Sequence, residues 1–205
     1  MQAKRGLEVL QKDIVKTQAN AKAQIIFTDE TVVTIGQNAV LHINEFMYDE
    51  ADPKNAKADI GFMEGAFKTI TGEVGKVAPE RFKLKTKSAS IGIRGTIIIG
   101  DQTRIAVTEG EIAVSALGVT QIVSAGMMTK TSLDAPPTAP ETIDTQTLDK
   151  LEKETFLDSQ ETKDKKTLPV PPLEEAAADE DTTAESAKFV FEQLQDEDGI
   201  ELDKI

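Results

Sequence analysis

The spacing of glycine through the middle of the chain limits what it can fold into. Gly92, Gly100, Gly110, Gly118 and Gly126 follow one another at intervals of 8, 10, 8 and 8 residues. Each stands where a run of apolar and β-branched residues ends, and glycine makes turns there without steric cost. Such spacing allows strands of about five to seven residues and leaves no room for a helix of ordinary length. The runs themselves alternate. Arg81 to Thr86 reads polar, apolar, polar, apolar, and Ile112, Val114 and Ala116 share one side of their segment. Strands are predicted at 7–11, 13–17, 22–28, 31–35, 39–46, 58–64, 66–70, 81–86, 89–94, 96–100, 103–108, 111–116, 119–124 and 127–131.

Composition supports the pattern up to about residue 134 and changes there. Residues 1–134 hold 26 Val and Ile against 6 Leu, with 13 Thr, a bias suited to pleated surfaces. They carry 16 basic and 16 acidic residues, whereas residues 135–205 carry 7 and 20, which accounts for the whole formal charge of −13. The body is predicted to be all-β, with a sandwich, a barrel or a solenoid all compatible with short strands at this spacing. Phe27, Phe46, Phe62, Phe67 and Phe82 are its expected large core residues. Residues 47–57 break the pattern with charge, Pro53 and Asn55 and are expected to form a surface loop.

Several functions are disfavoured at once. The chain has no cysteine, so disulfide frameworks, thiolate metal sites and cysteine nucleophiles are absent. A neutral body and an acidic tail do not suit nucleic acid, which needs surplus Lys and Arg to displace counterions. No run of 18 apolar residues is present, so no membrane-inserted segment is expected from this chain.

The segment Lys85-Thr86-Lys87-Ser88-Ala89-Ser90-Ile91-Gly92-Ile93-Arg94-Gly95-Thr96, followed by Thr108-Glu109-Gly110-Glu111 and Ser124-Ala125-Gly126, resembles the FecR domain. Asp13 to Thr17, Phe27 to Gly36 and Leu41 to Asp49 fit the same family, so the resemblance covers about residues 7–132. It implies an elongated, solenoid-like stack of short strands, with a β-sandwich as the alternative. It also implies a non-catalytic, extracytoplasmic module that transmits signals through a protein partner, delivered by an upstream targeting segment. A structural spacer in a surface protein or adhesin is the second reading. The motif positions Gly92, Arg94, Gly95, Thr96, Glu109, Gly110 and Gly126 are then structural or interaction residues. No catalytic, cofactor or metal residue is assigned.

Arg94 is expected to tie neighbouring turns together through carbonyls or Glu109, and Gly95 to admit a second backbone at close range. His42, the one histidine, falls opposite Leu41 and Ile43 and has no partner for metal or base chemistry. Acid pairs such as Asp29-Glu30 and Glu109-Gly110-Glu111 sit at turns, where solvation suffices to explain them. Gly72-Glu73-Val74-Gly75-Lys76-Val77 lacks the hydroxyl and the following helix of a phosphate loop.

Residues 133–205 are expected to be a largely disordered acidic tail, given Pro136, Pro137, Pro140, Pro169, Pro171 and Pro172. Short helices are expected at 147–157 and at 183–195, the second from a capping box of Thr182 and Glu185. Removal of residues 135–205 is accordingly expected to leave the melting temperature nearly unchanged.

Overall fold

A computed structural model describes residues 2–155, 188–195 and 199–204 of the chain. Its first strands are β1 (Glu8–Leu10), β2 (Ile14–Thr17), β3 (Lys22–Ile26), β4 (Val32–Ile35), β5 (Val40–Met47), β6 (Lys57–Glu64) and β7 (Phe67–Ile70). After the short helix α1 (Val74–Val77) come β8 (Phe82–Thr86), β9 (Ser90–Ile93), β10 (Ile97–Gly100) and β11 (Arg104–Glu109). β12 (Glu111–Ala116), β13 (Val119–Ser124), β14 (Met127–Lys130) and β15 (Glu141–Thr142) precede helix α2 (Thr145–Thr155). The last strands are β16 (Lys188–Gln195) and β17 (Ile200–Asp203). Each of the fourteen strands expected from the alternation is present.

The strands form two sheets. One runs β1-β16-β3-β4-β7-β10-β11-β14-β15 and the other β13-β12-β9-β8-β6-β5-β2-β17. Strands or hairpins go alternately to one sheet and the other, and within each sheet the strands from β2 to β15 keep chain order. Inward side chains of both sheets meet in one core. Phe62 of β6 stacks on Phe67 of β7 with ring centroids 3.9 Å apart, and Phe27 meets Phe46 at 4.9 Å. All five expected phenylalanines are buried. The all-β expectation holds. The solenoid-like stack gains no support: among described residues every strand pair but β6–β8 is antiparallel, whereas solenoid coils stack like on like.

The tail behaves differently from its composition. α2 overlaps the stretch expected at 147–157. Asp144 caps it, accepting from the Thr147 N–H at 2.8 Å and from the Thr147 hydroxyl at 2.6 Å. Its Leu151 is buried against Ile99, Ala106 and Met128 on the outer face of the first sheet. At Gly36 a methyl group would lie 2.5 Å from the Glu154 carbonyl oxygen, so helix and strand end are in backbone contact.

Two expectations about the tail need correction. Lys188–Gln195 is a strand where a helix was expected over 183–195, paired to β1 on one side and β3 on the other; residues 183–187 lie outside the described residues. Ile200 and Leu202 of β17 are fully buried, so this part of the tail belongs to the core. Unpaired strand edges, a non-local feature, outweigh local helical spacing and low hydrophobicity here.

Candidate interaction surface

The motif residues converge at the places where the chain crosses between sheets. Ile93 ends β9, and Arg94-Gly95-Thr96 carries the chain to β10 in the other sheet. Glu109-Gly110 makes the return crossing from β11 to β12, and Ala125-Gly126 the next, from β13 to β14. These crossings lie side by side along one rim. At Gly110, with φ +80°, a methyl group would sit 2.5 Å from the Gly95 carbonyl oxygen and 2.7 Å from Thr96 Cγ2. Any side chain there is excluded both by conformation and by space. The Ala125 N–H donates to the Gly110 carbonyl at 2.9 Å, and the Gly126 N–H donates to Val107 at 2.8 Å.

The row continues through residues that sequence reasoning passed over. The Thr96 N–H donates to Thr71 Oγ1 at 2.7 Å, and the Thr71 N–H donates to the Thr96 carbonyl at 3.1 Å. The Gly72 N–H donates to Thr31 Oγ1 at 2.9 Å. Asp29 is fully buried at the end of this row, which corrects its reading as a solvated turn acid. Its carboxylate accepts from the Thr31 N–H at 2.9 Å, the Thr31 hydroxyl at 2.8 Å and the Val74 N–H at 3.1 Å. Burial raises its pKa above the ordinary carboxylate value, against the pull of those donors. A strand-turn acid placed two residues before threonine is the one local signal that would have indicated it.

Two expectations about the motif are overturned. Arg94 and Glu109 are both exposed, and no ion pair joins Arg94 to Glu109 or to any other described residue. Gly95 has φ +61° and nothing within 4 Å of a methyl group placed on it, so its constraint is conformational; the crowded glycine is Gly110. Gly92 is not a turn residue. It sits within β9 facing Ala113, which faces Ile122 of β13.

That last row shapes an exposed strip. Gly92 has no side chain and Ala113 a small one, so Ile122 projects from a nearly flat outer face with 53 % exposure. Leu117 in the β12–β13 turn is 65 % exposed, and Val119, on the opposite face of β13 from Ile122, is 39 % exposed. β13 is a terminal strand of its sheet and carries no charged residue from Val119 to Ser124. The other terminal strands are blunted. β17 carries Glu201 and Asp203, β1 carries Glu8, and β15 has two residues behind Pro140. Long, uncharged, apolar edges are what other chains pair with.

Among the described residues no group of three or more acidic or histidine side chains is placed to hold a metal ion, and no helix is long and apolar enough to cross a membrane. Open grooves of about 640 and 360 Å³ flank the C-terminal end of α2, lined by mixed polar residues including Lys22, Lys153, Gln37 and Glu154. None of the motif residues lines them.

Comparison with known proteins bears on this arrangement. No curated protein matches the chain. Two crystal structures of a candidate anti-sigma factor from Parabacteroides distasonis ATCC 8503 share the fold, with TM-scores of 0.52 and 0.50 at 14 % identity. The similarity covers 70 % of this chain and 63 % and 62 % of those chains, so it spans less than two thirds of their length. The model of the family described as FecR protein matches residues 13–113, from the start of β2 into β12. The row of interlocked crossings built from Arg94-Gly95-Thr96 and Glu109-Gly110 lies within that stretch, and residues 13–113 of this chain form a FecR domain.

Proposed function

We propose that the chain is a non-catalytic signalling module of the bacterial envelope, working outside the cytoplasm through contact with a protein partner. Membership of residues 13–113 in the FecR family supports the regulatory role. The fold shared with a candidate anti-sigma factor is in keeping with it. The observation that carries the contact surface is the β13 edge, a terminal strand without charge that exposes Ile122 on one face and Val119 on the other. A partner strand added there gains backbone hydrogen bonds, and Ile122 and Val119 offer it apolar anchors.

A photo-reactive residue placed at Ile122 in the source cell tests this reading. It should cross-link one discrete protein in the osmotically released fraction, and Glu109→Lys combined with Val119→Lys should abolish the adduct. Recovery of the chain in the cytosol, or the absence of any such adduct, would contradict it; a mere spacer segment gives no adduct.

A further inference from the structure

Both sheets keep chain order except at one end, where the last strands of the chain join the first. β16 separates β1 from β3, and among the described residues β1 has no other strand partner. β17 lies on the outer edge of β2 with Glu201 opposite Lys16 and Leu202 opposite Val15. The Ala3 N–H donates to the Ile200 carbonyl at 2.9 Å and the Gln18 N–H to Gly199 at 2.7 Å. Lys16 Nζ reaches Asp203 at 2.6 Å, and Lys204 Nζ lies 3.5 Å from the buried Asp13. Residues 2–26 thus present a slot with backbone edges on β1, β2 and β3, apolar positions filled by Ile200 and Leu202, and Lys16 paired to Asp203.

Charge matches the slot to its occupant. Residues 1–24 carry five Lys and Arg against two acids, a net +3, while residues 188–205 carry two Lys against six acids, a net −4. The connection is long. Between Thr155 and Lys188 lie 32 residues, whose contour reaches about 105 Å at 3.3 Å per residue. That reach exceeds the diameter of a domain this size, so connectivity does not require the strands to return to their own body.

We infer that the β1–β3 gap and the β2 edge form a strand-acceptor site, and that it takes the C-terminal strand pair of a second copy of this chain as well as its own. An identical donor brings the same register, the same Ile200 and Leu202 anchors and the same Lys16–Asp203 pairing, so a slot that fits one fits the other. At low concentration the chain's own segment wins, because pairing within one chain does not weaken on dilution whereas pairing between copies does. Exchange between copies rises with protein concentration. The site is distinct from the β13 edge and stands whether or not that edge binds a partner.

The absence of cysteine makes a clean test available in the 205-residue chain. Lys16 and Glu201 are directly opposed in the antiparallel pair, at a Cα separation of about 4.5–5.5 Å that a disulfide spans. Lys16→Cys and Glu201→Cys are made separately, mixed over a range of concentrations and oxidised; the double variant is oxidised alone. The double variant should close within one chain when dilute. The mixture should give a mixed-chain dimer whose yield rises with concentration and exceeds either single variant's self-linked dimer at least tenfold. A mixture giving no more mixed dimer than random self-linking, at any concentration, would overturn exchange between copies. Failure of the double variant to close would overturn the slot itself. Addition of a synthetic peptide of residues 188–205 should suppress the mixed dimer, and the same peptide with Leu202→Asp should not.

Discussion

Asp29 is the residue on which the rim depends most. Replacing it with Ala strips acceptors from the Thr31 and Val74 N–H groups and from the Thr31 hydroxyl, all at a buried site. Stranded buried donors cost about 1–3 kcal/mol each, so Asp29→Ala should destabilise the protein by about 3 kcal/mol in urea unfolding. Its pH signature has a definite sign. Because the folded state raises the Asp29 pKa, the folded state holds the proton more tightly, and its contribution to stability falls as pH rises from below the model-peptide value of 3.8 through the raised value. Asp101 behaves oppositely. Burial pushes its pKa up, but hydrogen bonds from Arg104 and Thr103 outweigh that and hold it below 3.8. Its contribution is present above 3.8 and lost as pH falls through the lowered value. In Asp29→Asn the acid-favoured part of the stability profile should vanish while the Asp101 part remains; an unchanged profile would show that Asp29 does not titrate on folding. At this scale the sequence was legible wherever a residue's role is set by its own strand. The five phenylalanines and His42 fall where alternation puts them. Gly110 was legible as a turn glycine, but its crowding was not, and neither was the burial of Asp29, because these constraints come from backbone arriving from residues 95–96 and 72–74.

Among elements, α2 and β16 show how far a local pattern carries. α2 was legible from Leu148 and Leu151, and the core of β10, β11 and β14 supplies the surface that stabilises so short a helix. Leu151→Ala should cost about 2–4 kcal/mol, the usual loss for a buried leucine, and should reduce helical circular dichroism. A cost below about 0.5 kcal/mol would place α2 off the sheet. In β16 the spacing of Val190, Phe191 and Leu194 suits a helix as well as a strand, and the missing partner between β1 and β3 decides. That vacancy is separated from β16 by more than 150 residues of chain and is invisible to any local window. The unprotected edge of β13 was also hidden, since edge position is a property of the whole sheet. Ile122→Lys should leave stability within about 0.5 kcal/mol, as expected for an exposed site, and should raise solubility at high concentration.

For the whole molecule, two sheets laid down hairpin by hairpin are closed by the end of the chain. Composition suggests a boundary near residue 134, but Leu151, Ile200 and Leu202 are fully buried beyond it. Each such side chain contributes about 2 kcal/mol when removed from water. Deleting residues 135–205 should therefore lower the melting temperature by at least about 10 °C, and an unchanged melting temperature would restore the simple picture of a body with a passive tail. Amide hydrogen exchange on the 205-residue chain tests the closure most directly. Protection of the Glu201 and Asp203 amides, which face β2, is predicted to be comparable to that of Val15 and Ile25, with β13 exchanging fastest among the long strands. Rapid, unprotected exchange across residues 199–204 alongside a protected β2 would contradict it.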